Sequence, residues 1–179
     1  MASMQSDHRA RVNAMLAEAY GASGRALPVG AFTIAHKPLE KLDRSGVERK
    51  AQVVFKPHRP FPEGNNPLTG RELGMRELVV RLGYVLEPEG NGVGWDARGA
   101  ESGAADRASV EDRGETDAKL LREVLGWQPN WTGLDPSVID CAPHPEGDPD
   151  LIELPDRAIR EVRFILKTRA TSSGYGPAQ

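Results

Sequence analysis

The stretch that decides the fold is Met75-Arg-Glu-Leu-Val-Val-Arg-Leu-Gly-Tyr-Val-Leu-Glu87. Leu78, Val80, Leu82, Tyr84 and Leu86 share one face of an extended chain, while Val79 and Val85 supplement the other. That is the two-residue period of a strand, and apolar residues on both faces place it centrally in a sheet. Two further strands precede it, Val29 to His36 and Val47 to Lys56. In the second, Val47, Arg49, Ala51, Val53 and Phe55 alternate with Glu48, Lys50, Gln52 and Lys56, the pattern of a half-buried strand. Pro38 and Gly46 bound the turn between these two, and a hairpin is the simplest connection. Toward the C-terminus a short strand is expected at Val138 to Ala142, an acidic proline loop at Pro143 to Pro155, and a strong closing strand at Ala158 to Ala170. There Val162, Phe164 and Leu166 alternate with Arg163, Ile165 and Lys167.

Two helices complete the elements. Over Asp7 to Ala22, Val12, Met15, Leu16 and Ala19 recur at helical steps, and Gly21 and Gly24 end the segment. The second helix has a stripe of Val110, Gly114, Ala118, Leu121 and Leu125, with Ser102 as a cap candidate and Gly126 as its stop. Its opposite face, with Glu111, Asp112, Arg113, Glu115, Lys119, Arg122 and Glu123, is a solvated one. Small residues on the apolar stripe let this helix lie close against a sheet. The expected fold is a single α+β domain spanning 1–179, a mixed or antiparallel sheet of about four to five strands packed by the long helix and the N-terminal helix. Long loops interrupt it. Residues 57–74 read as an extended arm, the proline-rich part being Pro57 to Gly70; Pro88 to Gly103 is a Gly-rich loop, and 172–179 a frayed tail.

Composition narrows the function classes. At 179 residues the chain buries a core without staples, and the single Cys141 allows neither an internal disulfide nor a thiolate zinc site. Lys+Arg 23 against Asp+Glu 26 argues against binding nucleic acid by phosphate neutralisation. No apolar run long enough for a bilayer span and no signal-peptide core are present, so a soluble, non-exported protein is expected.

The residues that carry chemistry do not assemble into a known pattern. Asp140, Cys141, His144, Glu146, Asp148 and Asp150 are ligand-type side chains at short spacing, but prolines interleave them and the spacing fits no zinc or calcium motif. His8, His36 and His58 are scattered and read as exposed. The glycines of Gly90-Asn-Gly-Val-Gly94 lack the lysine of a phosphate loop. No catalytic residue, metal or cofactor is therefore assigned. What stands out is large side chains in loops: Phe61, Leu68, Trp95, Trp127 and Trp131 are the candidate subunit or partner contacts, because tryptophan is enriched among interface anchors. Capping of the core is the competing use of the same residues.

The order of elements, a helix at Arg9 to Tyr20, strands at Val47 to Phe55 and Arg76 to Leu86, a long helix at Arg107 to Leu125 and a closing strand at Arg160 to Arg169, resembles the tail terminator proteins of long-tailed bacteriophages and their relatives in neck complexes. The match is of order and length across most of the chain. It implies a non-enzymatic virion subunit in the tail-neck region, made in the host cytoplasm, that forms a hexameric ring capping the tail tube and meeting the head connector, with sheath or collar as further neighbours. DNA would pass through the lumen without specific binding, which a slightly acidic chain suits. The long loops at Pro57 to Arg71 and Pro88 to Gly103 depart from smaller family members and leave open the terminator itself, a head-completion protein or a collar subunit. Two other readings stand beside this one: a small monomeric metal- or ligand-binding enzyme using Asp140, His144 and Glu146, and an accessory protein binding one host partner through the proline arm.

Overall fold

The computed structural model describes residues 4–17, 32–57, 59–60, 71–86, 107–131 and 138–171. Two antiparallel strands form its spine: β4, Arg71–Val85, and β7, Arg157–Thr171, paired along their whole length from Arg71↔Thr171 to Val85↔Arg157. Around them the order is β1 (Thr33–Ile34), β2 (Lys50–Phe55), β4, β7, β5 (Val138–Pro143), with β3 (Arg59–Pro60) on β4 and β6 (Ile152–Leu154) on β7. The sheet is mixed and open, as the α+β reading expected, with seven strands among the described residues rather than four or five because three very short ones join its rim.

One face is covered by α1 (Met4–Ala17) and α2 (Arg107–Gly126). The alternation in the sequence decides which face this is. Leu78, Val80, Leu82 and Tyr84 join Ala51, Val53, Phe55, Val162, Phe164 and Leu166 in one core with Val12, Met15 and Leu16 of α1 and Val110, Ala118, Leu121 and Leu125 of α2. The helical stripe expected for α2 is buried throughout. α1 adds an unexpected member, because His8, read from sequence as exposed, is 2% exposed and continues the Val12, Met15 face at helical spacing.

Several boundaries and one connection differ from expectation. β1 pairs with β2 in parallel, Thr33↔Lys50, so the hairpin is not formed. Parallel neighbours need a crossover, and Lys37 to Gly46 supplies it as two 3-10 turns at Leu39–Lys41 and Arg44–Gly46. The crossover passes over the second face of the sheet, held there by buried Leu39 and Val47 and by Arg157, whose Nη1 donates to the carbonyls of Leu39 at 2.9 Å and Leu42 at 2.6 Å. Arg49, at φ 52, is a non-glycine residue in the left-handed region, and this turn puts Val47 on the face opposite Ala51 and shortens β2 to begin at Lys50. The expected arm over 57–74 is curtailed at both ends, since 59–60 form β3 and 71–74 belong to β4. Within the acidic loop, β6 is a strand not anticipated. Ser102, Gly90 to Gly94 and 172–179 lie outside the described residues.

Candidate functional site

The crossover covers the second face only at the Gly83 end. Among the described residues, that face beyond it stays open as a groove across β2, β4 and β7, walled on its far side by the 144–149 loop. The groove has two lobes, of about 420 and 350 Å³, which share Lys56 and Glu77. Val54 and Val79 line the first lobe, and Met75 and Ile165 the second; Met75 and Val79 are odd-numbered β4 positions, on the face that the core does not use.

Charged side chains dominate the walls, and most are paired. Arg81 donates through Nε to Glu161 at 2.9 Å, through Nη1 to Gln52 at 3.0 Å and through Nη2 to Glu40. The Arg81 hydrogen bond holds the Glu40 carboxyl below its ordinary value. Arg163 donates through Nε to Glu77 at 2.7 Å, and its Nη2 lies 3.3 Å from His144 Nε2. Asp148 fastens the loop: one carboxylate oxygen accepts the Arg163 backbone N–H at 2.8 Å and the other pairs with Arg122 of α2. The stretch of β7 between β5 and β6 thereby gains side-chain and loop partners for its edge, His144 N–H donating to the Arg163 carbonyl at 2.9 Å. Lys56 and Arg59, both exposed, have no ion pair among the described residues.

A second polar cluster lies under α2. Tyr84 Oη donates to Asp117 at 2.9 Å, Arg49 Nη1 is 3.6 Å from the same carboxylate, and Arg113 Nη1 donates to Glu48, whose other oxygen accepts the Val85 N–H. Burial raises the Asp117 carboxyl above its ordinary value, the Arg49 charge, the Tyr84 hydrogen bond and the Arg113 charge opposing it. Burial and the Asp117 charge likewise push the Tyr84 phenol up. A carboxyl whose folded pKa is raised binds protons more tightly when folded, so its contribution to stability falls as pH rises above the unfolded value of about 3.9. Asp117→Asn is therefore expected to gain stability relative to the parent as pH rises from about 4, until the folded carboxyl is ionised. Urea unfolding of both proteins across that range checks this; a difference independent of pH contradicts it.

The loop residues singled out from sequence have separate fates. Trp127 is 49% exposed at the end of α2, beside the turn that packs on β5. Trp131 is 1% exposed and belongs to the core, its Nε1 donating to the Leu125 carbonyl at 2.7 Å, so the reading of it as a contact is corrected to the competing one, a cap on the core. Phe61, Leu68 and Trp95 lie outside the described residues. The ligand-type cluster does not converge. Asp140 faces Lys167 at 3.4 Å, His144 and Glu146 turn to Arg163, Asp148 to Arg122, and Cys141 is buried with its thiol pushed up by desolvation. Among the described residues no three His, Cys, Asp or Glu side chains are placed to hold a metal ion. Lys56, Arg59 and Arg81 were not among the residues singled out from the sequence; for Arg81 the signal was the charge at odd positions of β4, which an outer solvated face would also produce.

No helix among the described residues is long and apolar enough to cross a membrane. No family model matches this chain, and no curated protein or solved structure matches it either.

Proposed function

We propose that this chain is a structural, non-enzymatic subunit of a long-tailed bacteriophage virion, forming a hexameric ring at the tail-neck junction between the tail tube and the head connector. A ring closes by head-to-tail contacts, which need two different patches on each subunit. The observation that carries the reading is a pair of unlike flanks. On one side β4 runs past the end of β2, and along that edge the only strand paired with its Arg71 to Arg76 stretch among the described residues is the two-residue β3. On the other side exposed Trp127 stands beside β5. β5 itself is a poor template for strand addition, because a bulge between Val138 and Asp140 and the terminal Pro143 interrupt its edge. The overhanging ribbon and the indole are thus the natural contact pair, and residues 61–70 link β3 to that ribbon. Passage of DNA through the lumen suits a chain with 26 acidic against 23 basic residues.

The test is the native mass of the full chain over a range of concentrations. A sixfold mass that Trp127→Asp converts to a folded monomer is the expected result, an exposed site making the substitution harmless to the core. A monomer at every concentration overturns the ring, and a hexamer indifferent to Trp127→Asp overturns the assignment of that flank.

A further inference from the structure

We propose that the second lobe of the groove, where β2 ends and the chain steps through Pro57 into β3, is a binding site for a small organic oxyanion, a phosphate or carboxylate group on a compact apolar body. This goes beyond the ring reading and does not depend on it. Lys56 and Arg59 line the lobe, with His144 opposite; Arg76 also borders it, but its guanidinium turns to the Phe55 ring on the helix-covered face. Among the described residues that line it, the one carboxylate, Glu77, is already engaged by Arg163 Nε at 2.7 Å. Lys56 and Arg59 therefore remain as positive charges without an acidic partner among the described residues. Most other cations of this face, Arg81, Arg163 and Lys167, each have a carboxylate, so the imbalance is local to this lobe.

The backbone makes the placement fixed rather than incidental. Lys56 N–H donates to the Glu77 carbonyl at 2.9 Å, and Arg59 pairs with Met75 across β3 and β4. Both cations thus rise from main chain tied to β4, one on each side of Pro57. Like charges gathered in a concave site are relieved by an anion, and a guanidinium beside an ammonium suits an oxyanion with several acceptor oxygens. Met75, Ile165 and Pro57 offer apolar surface for the remainder of the ligand, and about 350 Å³ is the size of a small-molecule site.

The experiment is calorimetric titration of the full chain with phenyl phosphate, benzoate and inorganic phosphate at low salt. Saturable binding of phenyl phosphate or benzoate is expected, with inorganic phosphate weaker for want of an apolar body. Tighter binding of phenyl phosphate identifies a phosphate site and tighter binding of benzoate a carboxylate site. Lys56→Ala and Arg59→Ala are each expected to weaken binding about tenfold. Both side chains are exposed, so an unchanged thermal midpoint verifies the fold. Lys41→Ala removes an exposed cation outside the lobe and is expected to leave binding unchanged. The proposal is overturned if none of the three probes saturates, if the Lys56→Ala/Arg59→Ala double variant binds like the parent, or if Lys41→Ala weakens binding as much as they do.

Discussion

Trp131→Ala is expected to lower the unfolding free energy by about 4 kcal/mol, the cost of deleting a large buried aromatic side chain. Two losses combine. The indole leaves a cavity among the core residues at the end of α2, and the Leu125 carbonyl loses the Nε1 donor that stood 2.7 Å away. That carbonyl is one of the last of α2, and helix ends carry acceptors with no partner inside the helix. Asn130 Nδ2 serves the Val124 carbonyl at 2.9 Å in the same way, and the Asn130 carbonyl accepts from Arg11 of α1. The turn Gln128–Trp131 therefore caps α2 and ties it to α1. For a chain of this length the loss corresponds to a thermal midpoint lower by about 10 °C. Trp131→Phe keeps most of the volume and loses only the hydrogen bond, so it should fall between the parent and the alanine variant. Urea unfolding measures both; a loss below about 1 kcal/mol for the alanine variant would remove Trp131 from the core.

Gly83→Ala is the second large effect, about 2 kcal/mol of destabilisation by overpacking. A Cβ at Gly83 would stand 2.7 Å from Val47 Cγ1 and 2.8 Å from the Val47 carbonyl oxygen. The first contact is with a side chain that can be shortened; the second is with backbone. That backbone is not free to retreat, because Arg49 N–H donates to the Gly83 carbonyl at 3.0 Å and Leu39 and Val47 are fully buried beneath the crossover. Val47→Ala in the same background should recover only part of the loss. Thermal unfolding of the single and double variants decides it, and full recovery would show that the carbonyl contact carries no cost.

Alternation made the spine legible. Leu78, Val80, Leu82 and Tyr84 in β4, and Val162, Phe164 and Leu166 in β7, occupy the core face that their spacing required. The stripe of α2 was equally readable, since Val110, Ala118, Leu121 and Leu125 can share one face only in a helix. Pairing direction was not. Nothing local to Lys37–Gly46 distinguishes a hairpin from a crossover; what decides it is burial of Leu39 and Val47 against Gly83, a residue far along the chain. Trp131 was likewise ambiguous, because an aromatic side chain in a turn serves a partner or its own core according to what lies beneath it.

The candidate site was less legible than the fold. Arg81, Glu161, Glu77 and Arg163 each read as solvent-facing members of alternating strands, and their pairing across β4 and β7 requires the antiparallel register. Lys56 and Arg59 acquire meaning only because the one carboxylate among the described residues lining their lobe is taken by Arg163. By itself, the sequence determined the two helices, the long strands β4 and β7 with their buried faces, and an α+β class, because periodicity is a property of neighbouring residues. Strand order, the parallel β1–β2 pair, the fate of Trp131 and the charge left unpaired in the groove were decided by tertiary structure, because each depends on which distant residues meet.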